Sequence, residues 1–460
     1  MARIPVAFID PLIGDLGAPP HSINYLNDVE EKVVKGLREE FPGVDFAINH
    51  VRDMSDAEEF LKSEEGAVGY LVVVLNSIVG LLDPILMSGK PVVVIGEAYS
   101  GAGEALLGSL HPGRRVITVF TRNPAGREAI SRVKHLLALD KLRNSKVLFI
   151  VSPSTKSHVT WQFPLSTDLY SVFRSINAIT GVMPIIIDAE EFRLKYFNRV
   201  NEDEARIVAD KWLRGAESIK EPDLNEVINS AKLYLAMREA AREMGVNAVA
   251  VDCIVLYNTG LLRAWPCLGY MQLWYDGIIP ICEADAYSMI PILIGKYLLG
   301  RNGFVVNVGM DSETGEFIYH HCYAPTNPHG GDKPETSYII TTAHLGSKHA
   351  SIHVKLPTNE KVTVVGFNPE ERQLYIHVSH ASMNEYRAEA CSTKLVAKGN
   401  VEKVVGSWRR RSGWHRVVLY GDNGKELKEF AALLGLTIID ENGEGLLDSV
   451  GDKELPGNVY

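Results

Sequence analysis

Two runs of five residues restrict the fold more than anything else in this chain. Residues 70–74 (Tyr-Leu-Val-Val-Val) and 91–95 (Pro-Val-Val-Val-Ile) are apolar and β-branched almost throughout. A strand with one wet face alternates polar and apolar residues. A strand without alternation is buried on both faces, which is the signature of a parallel sheet covered by helices. The surrounding pattern agrees. Residues 4–9, 44–48 and 115–119 read as further strands, and residues 29–41 and 127–140 have helical periodicity. This is a doubly wound βα pattern.

The pattern restarts at residue 145. Residues 145–151 and 183–187 read as strands, 202–215 and 223–244 as long amphipathic helices, and 249–256 as strand again. A helix over 267–274 leads to an apolar strand that ends at Glu283. A second helix, 286–299, is capped by Gly300. Residues 326–333 (Thr-Asn-Pro-His-Gly-Gly-Asp-Lys) are the clearest linker. Short alternating runs follow, at 338–343, 351–356, 361–367, 373–380 and 393–397, as in an antiparallel β domain. A strand over 416–420 and a helix over 425–434 close the pattern. The expected fold is α/β: two doubly wound Rossmann-like α/β domains, at 1–142 and 143–327, followed by a β-rich C-terminal domain at 328–460. A chain of 460 residues exceeds one ordinary core, which fits several domains.

The net charge of −10 disfavours a broad nucleic-acid or acidic-membrane surface. No apolar run reaches membrane-spanning length, and the first residues lack a signal-peptide pattern. The five cysteines are an odd number without close pairs, so a reducing, cytoplasmic setting is expected rather than a disulfide framework. With no C-x-x-C present, a structural zinc site is not expected, and Cys253, Cys282 and Cys322 read as small buried hydrophobes.

Several polar groups fall at predicted strand ends. Glu283 closes a buried strand, where an unpaired charge is costly. Asn307 lies near the end of the next strand, and His320, His321 and Cys322 lie on the one after. His320 and His321 are adjacent, so on a strand they point to opposite faces, and at most one should face a shared pocket. His415 follows Trp414 at the entrance to a late strand. The set reads as a divalent-metal pocket or as a polar binding pocket without metal. Asp252 is another strand-end carboxylate, either in the same pocket or a loop acid. Asp285 reads as a pocket residue or as a helix N-cap. The glycine run 100–105 lacks the third glycine of a dinucleotide fingerprint, with Leu106 in its place, and reads as a tight turn. Arg409, Arg410 and Arg411 read as a solvated loop or an anion site. His344, His349, His353, His377 and His380 lack the spacing of a known ligand set.

The block 266–285 (Pro-Cys-Leu-Gly-Tyr-Met-Gln-Leu-Trp-Tyr-Asp-Gly-Ile-Ile-Pro-Ile-Cys-Glu-Ala-Asp) is followed by Phe-Val-Val-Asn at 304–307 and His-His-Cys-Tyr-Ala-Pro at 320–325. With Gly-Trp-His-Arg-Val-Val-Leu-Tyr-Gly-Asp at 413–422, it resembles the L-fucose isomerase and L-arabinose isomerase superfamily. That resemblance implies interconversion of an aldose and a ketose through an ene-diol. It implies a divalent cation, usually Mn²⁺, and a homo-oligomer, a trimer or hexamer, with a small sugar as its partner. Carried over, the metal ligands are Glu283, Asn307 and His415. Glu283, Asn307 and Asp252 are the catalytic candidates, and His320, His321, Trp414 and Asp285 the substrate-binding ones. Asn307 stands where the family has its second carboxylate. An amide cannot act as a base, so the alternative is a member that has lost isomerisation and binds a sugar or runs another metal-assisted reaction.

Overall fold

The computed structural model describes residues 2–14, 17, 21–76, 78–109, 115–152, 169–344, 348–387, 389–408 and 413–442. The cationic run Arg409–Arg411 lies outside them. The chain divides into two compact units, one of residues 1–140 with 427–437, the other of 141–426 with 438–445.

In the first unit, β1 (Ala2–Ile9), β2 (Val44–Val51), β3 (Tyr70–Val74), β4 (Val92–Glu97) and β5 (Val116–Thr121) form a parallel sheet in the order β2-β1-β3-β4-β5. The continuous apolar runs fall at β3 and β4, whose residues are all buried. The helix Ile23–Glu40 buries a stripe of Leu26, Val29, Val33 and Leu37 at helical spacing. The glycine run is a turn set by close packing. A Cβ on Gly101 would lie 2.0 Å from the carbonyl oxygen of Val74.

The second unit begins with β6 (Lys146–Val151), β7 (Met183–Asp188), β8 (Ser218–Ile219), β9 (Ala248–Val251) and β10 (Ile279–Ile281). A parallel sheet runs β10-β9-β6-β7. β9 stops at Val251, and the expected strand over 249–256 gives way there to a helix, Cys253–Asn258. The helix Ala286–Ile294 passes into a wider turn over Gly295–Leu299, ended by Gly300 in the left-handed conformation, φ 66°.

The remaining strands are β11 (Phe304–Asp311), β12 (Glu316–His321), β13 (Tyr338–Thr341), β14 (Ser351–Val354), β15 (Glu360–Asn368), β16 (Gln373–Asn384), β17 (Thr393–Lys398), β18 (Arg416–Tyr420) and β19 (Thr437–Asp440). Seven of them form a sheet in the order β15-β18-β11-β12-β17-β16-β19. An added β15–β16 pairing closes six strands into an antiparallel barrel. β13 and β14 form a small separate sheet with β8.

The break expected at 328 is therefore not a seam in the second unit. β11 and β12 precede it and are central barrel strands. The linker is tied down: Asn302 N–H donates to Pro328 O at 3.1 Å and Asn302 Nδ2 to Asn327 O at 3.0 Å. A Cβ on Gly330 would lie 1.7 Å from Gly300 O, so glycine alone fits that approach. Residues 427–437 belong to the first unit, where Glu429 Oε2 lies 3.2 Å from Arg132 Nε and 3.3 Å from His135 Nε2. The stretch 328–460 is thus shared between units. No helix among the described residues is long and apolar enough to cross a membrane.

Candidate metal centre

Three buried side chains converge from three places in the second unit: Glu283 after β10, His321 at the end of β12 and His415 just ahead of β18. One ligand atom of each lies within 4.8 Å of the others. His321 Nε2 is 3.3 Å from Glu283 Oε1, and His415 Nε2 is 3.8 Å from Glu283 Oε2. The two rings stand edge to face, centroids 5.0 Å apart.

Glu283 reaches this position through its backbone. The apolar run 278–283 was expected to extend as strand to Glu283, but β10 ends at Ile281. Cys282–Ala284 instead form a tight turn, with φ of 55° at Glu283 and 50° at Ala284. Such left-handed conformations cost about 1–3 kcal/mol each in residues with a side chain, and they cluster at functional sites. The turn packs against β9 and the helix that follows it.

The outer nitrogens of both imidazoles are held. His415 Nδ1 lies 3.2 Å from Asp285 Oδ2, and His321 Nδ1 lies 3.4 Å from Cys282 Sγ. With Nδ1 engaged, each ring turns Nε2 toward Glu283, as histidines do when a neighbouring group fixes their orientation for a metal. Buried His321 Nε2 makes no well-aligned hydrogen bond among the described residues, although it lies beside a carboxylate. An inward-facing carboxylate and two inward-facing imidazole nitrogens are a fitting donor set for a divalent ion.

The electrostatics are those of a paired, buried site. Burial opposes protonation of His321, but the Glu283 charge outweighs it and raises the imidazole pKa. Burial likewise opposes charge on Asp285. The hydrogen bond and charge of His415, with help from Ser288 and the Tyr287 N–H, hold its carboxyl below the ordinary value.

The other residues expected here have different places. Asp285 is fully buried as the N-cap of helix Ala286–Ile294 and as the partner of His415. Trp414 is 67% exposed. Asp252 is buried at the end of β9 without capping the helix it precedes. Burial, the Glu283 charge and, more weakly, Cys267 and Asp252 push the Cys253 thiol well above its ordinary value. Asn307 is paired in register with His320, so the two share one face of the β11–β12 pair, opposite to His321. Its amide nitrogen is 3.8 Å from Cys391 Sγ. Asn307 and His320 thus face the opposite side of the β11–β12 pair from His321 by strand alternation, and the buried group that could hold an ion is Glu283, His321 and His415.

A second group went unread in the sequence. Cys322 Sγ, His344 Nε2 and Cys391 Sγ also lie within 4.8 Å of one another. They come from distant, irregular segments, and no spacing rule connects them. Hydrogen bonding from Cys322, opposed by burial and reinforced by His320 and His344, holds the Cys391 thiol far below its ordinary value. The chain matches no family model, and no curated protein matches it.

Proposed function

We propose that this chain is an aldose–ketose isomerase of the fucose and arabinose isomerase type, working with Mn²⁺ on an open-chain sugar. The observation that carries the reading is the buried Glu283 carboxylate between two imidazoles whose outer nitrogens are both held. The parallel sheets with a β barrel after them fit two doubly wound Rossmann-like domains and a β-rich C-terminal region. The same reading carries a homo-oligomeric assembly, a trimer or hexamer, and a cytoplasmic setting, which the five free cysteines support.

In this reading His321, His415 and Glu283 hold the ion, and the ion when bound supplies Lewis-acid polarisation of neighbouring sugar oxygens. Glu283 removes the proton at C2 of the aldose and returns it at C1 of the ene-diol. Asp285 keeps His415 oriented through the cycle. Asp252, buried at the end of β9 against which the Glu283 turn packs, is a candidate to move the hydroxyl proton between O1 and O2. Low dielectric around the buried set strengthens each of these interactions.

Asn307 favours a second reading, in which the chain binds a sugar or runs another metal-assisted reaction. An amide beside Cys391 replaces the family's second base, a group worth about 10²–10⁴-fold in rate. The deciding experiment offers pentoses and hexoses to Mn²⁺-loaded protein and follows ketose formation. Turnover that disappears in Glu283→Gln supports the isomerase. Metal binding with no turnover on any aldose overturns it in favour of the second reading.

A further inference from the structure

The group formed by Cys322, His344 and Cys391 has no part in the chemistry above. Cys322 lies just past the end of β12, His344 follows β13, and Cys391 precedes β17. His344 Nε2 is 3.5 Å from Cys322 Sγ and 3.6 Å from Cys391 Sγ. We propose that Cys322, His344 and Cys391 form a second cation site, one that takes zinc and is separate from the Glu283–His321–His415 centre.

The distances carry the argument. A tetrahedral zinc with Zn–S of about 2.3 Å and Zn–N of about 2.0–2.1 Å places sulfur and nitrogen about 3.5 Å apart along each edge. Both observed separations match that edge. One imidazole nitrogen carries at most one hydrogen, so it cannot make a separate full-strength N–H bond to each sulfur. Equal spacing from both sulfurs is what ligands around a central ion show. Two sulfurs and an imidazole select zinc over hard cations such as Mg²⁺ or Mn²⁺, which prefer oxygen. The Glu283 centre offers two imidazoles and a carboxylate but no sulfur, so a thiolate signature tells the two sites apart whichever ion each holds.

The surroundings fit a thiolate site. Asn307 Nδ2, at 3.8 Å from Cys391 Sγ, is placed to donate to that sulfur, as outer hydrogen bonds do at metal thiolates. This gives the amide at 307 a purpose, since a carboxylate there would repel the sulfur charge. Cys391 is buried, Cys322 is half-buried and His344 is exposed, so an ion has a way in. Three protein ligands leave the fourth position to solvent. β12 then serves two sites, His321 turned to one and Cys322, one residue on, turned to the other.

The test uses the full chain purified without chelator from zinc-supplemented medium. Metal analysis should find at least one equivalent of zinc that persists in Glu283→Gln and His415→Ala, and one equivalent less than in wild type in Cys391→Ser and in His344→Ala. Cobalt added to the metal-free wild type should give a thiolate-to-cobalt charge-transfer band, which a carboxylate–imidazole centre cannot produce. His344 is on the surface, so its variant and the wild-type cobalt spectrum remain informative if Cys391→Ser does not fold. Absence of the band in the wild type overturns the proposal. So does a band that survives in Cys322→Ser and His344→Ala, or an intact mass lower by two hydrogens, which would mean a Cys322–Cys391 disulfide. None of these outcomes depends on whether the chain isomerises a sugar.

Discussion

Asp285 shows how much work one side chain does beside the centre. Its Oδ1 accepts the Tyr287 N–H at 3.0 Å, and its Oδ2 accepts from Ser288 and faces His415 Nδ1 at 3.2 Å. Capping and orienting can be separated by Asp285→Asn. An amide oxygen still caps a helix, so folding stability should change little. The charge that holds the His415 proton is gone, and metal affinity should fall about 10–100-fold, the usual cost of losing such a partner. Calorimetric titration of Mn²⁺ into both proteins is the check, and unchanged affinity would remove Asp285 from the site. The sequence made His320 and His321 equivalent, because alternation says only that they face apart. Tertiary pairing decides between them: His321 is fully buried toward Glu283, and His320 pairs with Asn307.

At the scale of elements, the buried strands were legible and the special turns were not. β3 and β4 are uniformly apolar because both faces are covered, and periodicity reports that directly. The turn at Glu283 hides in a run of strand-forming residues, and nothing local announces a left-handed glutamate. The linker at 326–333 looked like a boundary because proline and glycine break elements. Pairing of β11 with β18 and β12 with β17 is remote in sequence, so no window reveals that the barrel starts earlier. Gly101 gives an element-scale test. Its Cβ position collides with backbone, which cannot rotate away. Gly101→Ala should therefore destabilise the first unit by about 1–3 kcal/mol, the usual range for overpacking. Chemical denaturation followed by signals from that unit measures it. An alanine variant as stable as wild type would show that the turn has slack, and close packing would not be the reason for the glycine.

Across the whole molecule, the barrel carries a buried polar chain that reaches the candidate centre. Glu441 Oε1 accepts from Arg416 Nη2 at 2.6 Å and Oε2 lies 2.8 Å from His377 Nδ1, all three groups being buried. His377 Nε2 meets Tyr319 Oη at 2.9 Å, and the Arg416 guanidinium sits 3.8 Å from the Trp408 ring centre. Arg416 Nη1 also donates to the carbonyls of His415, at 3.1 Å, and Gly413, at 3.3 Å, which fixes the backbone that presents His415. Burial opposes charge on Glu441, but Arg416 and His377 outweigh it and lower its pKa from 4.5 to about 2. The folded value lies below the unfolded one. The group therefore stabilises the fold above about pH 4.5, and that contribution is lost as pH falls toward about 2. Urea denaturation across this range should show wild-type stability falling with acid. Glu441→Gln should lack this part of the slope and start lower by about 3–5 kcal/mol, because Arg416 is left buried without its counter-charge. The same variant should bind metal more weakly, since Arg416 no longer anchors the His415 carbonyl. A variant with wild-type stability and the same acid slope would show that the Arg416–Glu441 pair does not hold the barrel together. Wild-type metal affinity in a destabilised variant would instead confine the pair to folding and separate it from the centre.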